Sequence, residues 1–404
     1  MKMRLALATE TYLPEVNGVA RTLGRWVEAF RQRGHEVLVV RPKRRDEKSS
    51  PELVQGLPLP NYPQVRLGIS SPWRMRKLLR GFAPDLVHIA TEGPLGFSIL
   101  CACRMLGLAV ASSFHTNFDQ YLGHYGLGIF SWVAGTYLRW FHNHTRVTLV
   151  PSEGTRRRLL AAGMQRVEIW SRGVDAEAFH PRHRDPALRA ELGLADGDVL
   201  LTYVGRIASE KNLPALLQAF ARLSGHLPPE RRGRVRLALV GDGPIYEQLR
   251  AARPMNVLLA GERHGQDLAR WYASGDVFVF PSQSETFGNV ILEAQASGLP
   301  VVGYDCQAVD ERVTPEADGL LVPRDGDLAP TIARLVGDAA LRQKMGEAAR
   351  RKAERQTWTA IFDDLERRYV DLVEESRRPP PASDWTSYLW GTPARPRETT
   401  TGVR

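Results

Sequence analysis

Short apolar runs alternate with helix-length amphipathic segments through most of the chain. Leu5–Ala8, Glu36–Val40, Leu86–Ile89, Ala109–Ser113, Thr148–Val150 and Val167–Ile169 predict strands in the first half, with helices such as Val19–Arg33 and Leu95–Leu106 between them. The second half repeats the pattern with Val199–Val204, Val235–Val240, Val257–Leu259, Val277–Phe280, Pro300–Val302 and Gly319–Leu321. Continuous apolar strands separated by helices mark parallel sheets covered on both faces. Two such runs predict an α/β protein of two Rossmann-like domains. Arg172–Pro186, rich in turn and charged residues, reads as the connection. The expected divisions are residues 1–176, 177–355, a helix over 356–376 built on the amphipathic stretch Trp358–Leu372, and a tail at 377–404. The tail opens on Arg377-Arg-Pro-Pro-Pro-Ala382, and its Trp385, Tyr388, Leu389 and Trp390 are expected to dock on the parent domain rather than touch lipid.

Length agrees, since 404 residues exceed one ordinary core. Charge changes the picture more. Of a net +9, residues 1–180 carry +10 and residues 181–404 carry −1. A basic first half can attract anionic lipid or a negatively charged substrate. Arg41, Lys43, Arg44, Arg45 and Lys48 form one cluster, and Trp73-Arg-Met-Arg-Lys-Leu-Leu-Arg80 mixes cationic and apolar groups as an interfacial helix would. A helix packed on a sheet explains the second equally well. No recognition-helix, RNA-binding or zinc-finger signature accompanies the charge, so nucleic acid is not an expected partner. Three cysteines, Cys101, Cys103 and Cys306, offer neither a disulfide framework nor a zinc site. Met1–Arg4 runs directly into the first strand, and no apolar run approaches the ~20 residues of a membrane span. The expectation is a cytoplasmic protein able to touch the cytoplasmic face of a membrane.

The chemistry concentrates in Pro281–Pro300. A strand runs into a loop bearing Glu285, Phe287 and Gly288, and Glu293 follows Glu285 by eight residues, about two helical turns. Both carboxylates can then face one crevice at the C-terminal end of a parallel sheet, where carboxylates accept paired hydrogen bonds from sugar or ribose hydroxyls. Unpaired N–H groups near Phe287, Gly288 and Asn289 can hold an anion or a sugar oxygen. Arg206 leaves the end of Val199–Val204, and Lys211 stands near the next helix, so a diphosphate between them meets a guanidinium and an ammonium. Val240-Gly-Asp-Gly-Pro244 is adequately explained as a structural loop, and Asp242 makes no metal motif. Gly18 starts a helix where main-chain N–H groups can reach a phosphate, without the G-x-G-x-x-G spacing of a redox dinucleotide site. His115 follows another strand and can donate to a sugar hydroxyl, with Asp119 four residues on. The aromatic stretch Tyr121–Phe141 suits either a groove for an apolar tail or helix-on-sheet packing.

Through Pro14–Ala20, Phe114–Tyr121, Val204-Gly-Arg206 with Lys211, and Ser284-Glu-Thr-Phe-Gly288 with Glu293, the chain resembles the retaining glycosyltransferases of family 4 over roughly residues 3–376. The last region matches that family's E-x7-E signature. The resemblance implies the GT-B fold, two Rossmann-like domains whose parallel sheets face across an interdomain cleft, and a metal-independent transfer without cofactor. It implies that Arg206 and Lys211 hold the donor diphosphate and Glu293 the ribose. Glu285 with the backbone at Phe287 and Gly288 would hold the transferred sugar, Gly18 would approach the phosphates, and His115 would lie near the sugar. Asn17, Asp119 and Tyr121 are the acceptor-side candidates. More narrowly, the motifs look like the branch of GDP-mannose-dependent α-mannosyltransferases and of glycolipid synthases using UDP-glucose or UDP-sulfoquinovose. The leading expectation is mannosyl transfer from GDP-mannose to a lipid-linked or glycolipid acceptor. A UDP-sugar:diacylglycerol enzyme, a soluble enzyme for a small acceptor and a non-catalytic carbohydrate-binding protein are the alternatives.

Overall fold

A computed structural model describes residues 1–15, 18–44, 47–59, 62–115, 128–252, 254–283 and 287–377, with backbone alone at 59, 62–65, 128–131 and 307–308. Two sheets organise it. The first contains β1 (Arg4–Ala8), β2 (Glu36–Pro42), β3 (Leu53–Leu59), β4 (Tyr62–Ile69), β5 (Leu86–Ile89), β6 (Ala109–Ser113), β7 (Val147–Val150) and β8 (Val167–Ile169). The second contains β9 (Val199–Val204), β10 (Val235–Val240), β11 (Val257–Gly261), β12 (Val277–Phe280), β13 (Val301–Tyr304) and β14 (Gly319–Val322). Strand orders are β4-β3-β2-β1-β5-β6-β7-β8 and β11-β10-β9-β12-β13-β14. These are two α/β Rossmann-like domains in the GT-B arrangement.

All described pairings are parallel except β3 with β4. The apolar pattern does not predict that antiparallel edge. Gly56 and Pro58 interrupt β3, Pro63 and Gly68 interrupt β4, and such residues read as turns. The central strands are buried on both faces, so alternate residues feed two cores. Leu201 and Tyr203 of β9 join the Leu213–Leu223 helix on one side. Leu200 and Val204 join Tyr272, Phe278 and Ile291 on the other.

In the first domain Leu23, Trp26, Val27 and Phe30 of the Gly18–Gln32 helix pack on β1, β5 and β6. Phe362, Leu365, Tyr369 and Val373, spaced three and four residues apart, complete that core from the Trp358–Arg377 helix. Fully burying each such side chain contributes about 1.5–3 kcal/mol, so this last helix is held mainly by the first domain. Around it, Glu366 meets Arg33 at 2.8 Å and His35 at 2.9 Å, and Arg377 meets Asp85 at 2.6 Å. The chain crosses between the sheets twice, side by side. Val174 N–H donates to Gln356 O at 2.8 Å, and Val174 forms a parallel bridge with Thr357. Gly173 lacks a side chain there for a reason: a Cβ would lie 2.4 Å from the Trp358 nitrogen.

Candidate functional site

In open parallel sheets the crevice forms where strand order reverses, beyond the C-terminal strand ends. In the second sheet that point lies between β9 and β12, because β10 and β13 flank them outward. Gly205–Lys211 leave β9 and Pro281–Gln283 leave β12, so topology brings together two strand ends about 75 residues apart in the chain. The glycines after β10 make the first loop possible. A Cβ on Gly241 would sit 2.0 Å from Gly205 O, and one on Gly243 would sit 2.3 Å from Ile207 O. Ile207 N–H donates to Asp242 O at 2.8 Å and Ile245 N–H to Ile207 O at 3.2 Å. Thus Gly241-Asp-Gly243 is the platform on which the Arg206 loop rests. Tyr203 Oη donates to Arg206 O at 2.9 Å, fixing the main chain while the guanidinium reaches toward solvent and pairs with Glu210 at 3.3 Å. A short 3-10 turn, Ser209–Lys211, carries Lys211 up to the next helix.

Across the crevice, Gly288 adopts φ 74° and caps the Asn289–Ala296 helix, a left-handed turn that favours glycine. Glu293 projects from that helix. Tyr272 Oη donates to Glu293 Oε2 at 2.9 Å, leaving Oε1 without a partner among the described residues. Burial pushes the Glu293 carboxyl up to about 7, while Tyr272 and then Arg21 and Arg25 of the first domain pull it down. The carboxylate therefore feels the opposite domain's charge directly.

Two arginines missed by the sequence reading stand beside the chain crossing at Gly173 and Val174. Arg312, buried, stacks 3.9 Å over the Phe287 ring, and its Nε donates to Phe287 O at 3.3 Å. Arg172, 5.2 Å over the same ring, lies against Gly18, where a Cβ would meet its Nη1 at 2.8 Å. Arg172 looked like ordinary linker charge; its one sequence signal was its place just past a strand end. Gly18 opens the Gly18–Gln32 helix, so Arg172 and the positive end of that helix create one electropositive spot. Glu311 spans the domains as well, accepting from Glu153 N–H at 3.2 Å and Gly154 N–H at 2.6 Å at the start of the Glu153–Ala161 helix.

His115 sits just past β6. Its Nε2 pairs with Ser113 Oγ at 2.8 Å, and its Nδ1 is buried without a partner among the described residues. Burial holds its pKa well below the ordinary value, with Arg172 and His88 adding to the shift, so the ring is neutral. The structure thus gathers His115, Gly18, Phe287, Gly288 and Glu293 around the domain junction, while Arg206 and Lys211 lie on the segment that follows β9. Glu285, Asn17, Asp119 and Tyr121 lie outside the described residues. Among the described residues, no group of three or more His, Cys, Asp or Glu is placed to hold a metal ion.

The basic cluster of the first domain is less open than its sequence suggests. Arg41 pairs with Glu47 at 2.6 Å, and Arg44 donates to the carbonyls of Tyr12 and Leu13. The described residues of this domain line concavities as well. One of about 270 Å³ is lined by Glu10, Tyr12, Glu15, Arg41, Arg44 and Arg66. Another, about 400 Å³, is a groove with Ile69, Pro94, Phe97 and Tyr137 in its walls. Of the aromatic stretch, Phe141 is buried, whereas Trp132 is 72 % exposed, so it serves both packing and surface. The Pro72–Phe82 helix buries Met75 and Leu79 and leaves Trp73 68 % exposed. No helix among the described residues is long and apolar enough to cross a membrane.

Comparison with known proteins settles the family. The Glycosyltransferase Family 4 profile matches residues 16–178, and Glycosyl transferases group 1 matches residues 198–338. A GDP-mannose-dependent alpha-mannosyltransferase of Mycobacterium tuberculosis is 36 % identical over 375 residues, covering 90 % of this chain and 95 % of that protein. The chain belongs to glycosyltransferase family 4. It is accordingly a glycosyltransferase that draws on a nucleotide sugar. The sulfoquinovosyl transferase SQD2 of Arabidopsis thaliana is 32 % identical over 379 residues, covering 88 % of this chain and 71 % of that protein. In fold, the chain matches a sucrose-phosphate synthase from Thermosynechococcus elongatus at a TM-score of 0.72 and 20 % identity, over 93 % of this chain and all of that one.

Proposed function

We propose that this family 4 enzyme transfers mannose from GDP-mannose, with retention of anomeric configuration, to a lipid-linked or glycolipid acceptor. The observation that carries the donor is the 36 % identity to a GDP-mannose-dependent alpha-mannosyltransferase along nearly the whole length of both chains. Arg206 and Lys211 take the diphosphate and stabilise the charge released on the leaving nucleotide. We assign that charge neutralisation to these side chains rather than to a metal. Glu293 accepts from the ribose hydroxyls through the oxygen that Tyr272 leaves open. Glu285 and the N–H groups at Phe287 and Gly288 orient the sugar, Gly18 approaches the phosphates, and His115 donates to a sugar oxygen. The acceptor hydroxyl attacks the face carrying the departing diphosphate through an oxocarbenium-like state and passes its proton to a phosphate oxygen. Closure of the domains about Gly173 and Val174 excludes water and aligns the reactants. Asn17, Asp119 and Tyr121 belong to the acceptor side of this reading.

The apolar groove beside Phe97 and the exposed Trp73 and Trp132 support an acceptor held at a lipid surface, and we assign the enzyme a peripheral position on the cytoplasmic face of a membrane as part of this reading. The relation to a sulfoquinovosyl transferase and to an alpha-monoglucosyldiacylglycerol synthase favours one second reading, a sugar other than mannose passed to diacylglycerol, for which we take the donor to be a UDP-sugar. Calorimetry of GDP and UDP in one buffer separates the two. Tighter GDP binding supports the mannosyl donor, and tighter UDP binding refutes it. Incubation of labelled GDP-mannose with liposomes of extracted lipid, against the same lipids in detergent, then tests the acceptor and its surface dependence.

A further inference from the structure

A line of hydrogen bonds runs from the last helix to His115. Tyr369 Oη pairs with His88 Nδ1, His88 Nε2 pairs with Ser113 Oγ at 2.9 Å, and Ser113 Oγ pairs with His115 Nε2 at 2.8 Å. Tyr369, His88 and Ser113 are 0–1 % exposed, so no water completes their hydrogen bonding from bulk. Each link has one proton to place, and the end of the line decides the direction. Burial raises the Tyr369 phenol well above its ordinary value, with the Trp26 indole partly opposing, so the phenol keeps its proton. The only hydrogen-bond acceptor it meets among the described residues is His88 Nδ1. Stranding that proton in the core would cost the full desolvation of a hydroxyl donor. His88 is neutral, its pKa pushed by burial down to about 3, so accepting at Nδ1 puts its single N–H on Nε2. That N–H donates to Ser113 Oγ. Ser113 Oγ meets no acceptor but His115 Nε2 among the described residues, so its hydroxyl donates there, and the one proton of neutral His115 then resides on Nδ1. This is the buried nitrogen that has no protein partner among the described residues.

We propose that Tyr369, acting through His88 and Ser113, is a positioning residue that locks His115 in the tautomer protonated on Nδ1, presenting a hydrogen-bond donor to an oxygen of the donor sugar. The proposal rests on the reading of His115 as a sugar contact. It explains why the helix that follows the second domain returns to the first, since packing that helix sets the state of a side chain at the site. Reversal of the relay would turn His115 Nδ1 into an acceptor, unable to hold a sugar oxygen that carries no proton toward it.

The test is nitrogen-15 NMR of histidine-labelled, full-length protein, which reports the tautomer of each ring from its two nitrogen shifts. Wild type should show His115 protonated on Nδ1 and His88 on Nε2. Tyr369→Phe keeps the ring in the core but removes the donor, and should release both histidines into mixed tautomers. Ser113→Ala cuts the line in the middle and should release His115 while leaving His88 protonated on Nε2, so the proposal stays testable even if one variant folds poorly. With labelled nucleotide sugar, both variants should lose about 3- to 10-fold in kcat, the worth of one neutral hydrogen bond, with acceptor KM unchanged. His115 protonated on Nε2 in wild type, or held on Nδ1 in both variants, overturns the relay. Tautomers that respond while kcat does not would uphold the relay and refute the role of His115 in transfer.

Discussion

Glu293→Gln is the most discriminating perturbation, because the structure supplies both its size and its pH signature. The wild-type carboxyl is pushed up to about 7, largely by burial, while the Tyr272 hydroxyl and the charges of Arg21 and Arg25 favour ionisation. If only the carboxylate receives the ribose hydroxyls, apparent affinity follows its ionised fraction. That fraction is about one-tenth at pH 6 and about nine-tenths at pH 8, so the nucleotide sugar should bind about tenfold more tightly at the higher pH. His115, held well below the usual imidazole range, adds nothing across this interval. The donor's diphosphate, esterified at both ends, also has no group titrating there. Glutamine keeps the shape but loses charge-assisted hydrogen bonds worth about 1.5–3 kcal/mol, or about 10- to 150-fold in Kd at pH 8. The glutamine variant should also lose the pH dependence. Calorimetry of GDP-mannose at the two pH values, in buffers of differing ionisation enthalpy, should show proton release below pH 7 in wild type alone. A wild-type Kd that is flat with pH, or a slope that survives in the variant, would refute the reasoning. The unliganded protein carries the opposite sign. A carboxyl raised from 4.5 to about 7 contributes stability that is complete below about 4.5 and is lost as pH rises through about 7.

Three further outcomes follow from the geometry. Arg206→Ala should raise the donor KM and lower kcat, together worth about 1.5–3 kcal/mol in kcat/KM, with melting temperature unchanged, because the guanidinium is 63 % exposed and contacts only Glu210 among the described residues. Gly243→Ala forces a Cβ to 2.3 Å from the Ile207 carbonyl, a backbone atom that cannot swing aside, and should cost about 1–3 kcal/mol while displacing the Arg206 loop. Calorimetric melting and nucleotide titration of that variant should therefore fall together; loss of stability with full binding would show that the loop does not position the phosphate clamp. Gly173→Ala puts a Cβ 2.4 Å from the Trp358 nitrogen and should separate the paired crossings at Val174 and Gln356, seen as faster hydrogen exchange of the Val174 amide and reduced kcat.

The strands were legible because a parallel sheet covered on both faces demands near-continuous apolar residues, and Leu86–Ile89, Val199–Val204 and Val277–Phe280 meet that demand with the observed bounds. The edge pair β3–β4 was not legible, since a strand at the sheet's end has one side without a ladder partner and so tolerates proline, and the glycines and prolines break the apolar run that marks a central strand. The family and the motif positions also lay in the sequence: Arg206, Lys211, Gly288 and Glu293 are local features of strand ends and a helix start. Tertiary structure alone decided which distant groups meet. Tyr369 reaches His88 across 281 residues, Glu311 caps a helix that begins 158 residues earlier, and Arg172 and Arg312 share one phenyl ring. Local pattern records the face a residue must bury, because burial depends on period. Hydrogen bonds and charge effects act over a few ångströms in space, and only the folding of two sheets against one returning helix brings those partners within that range.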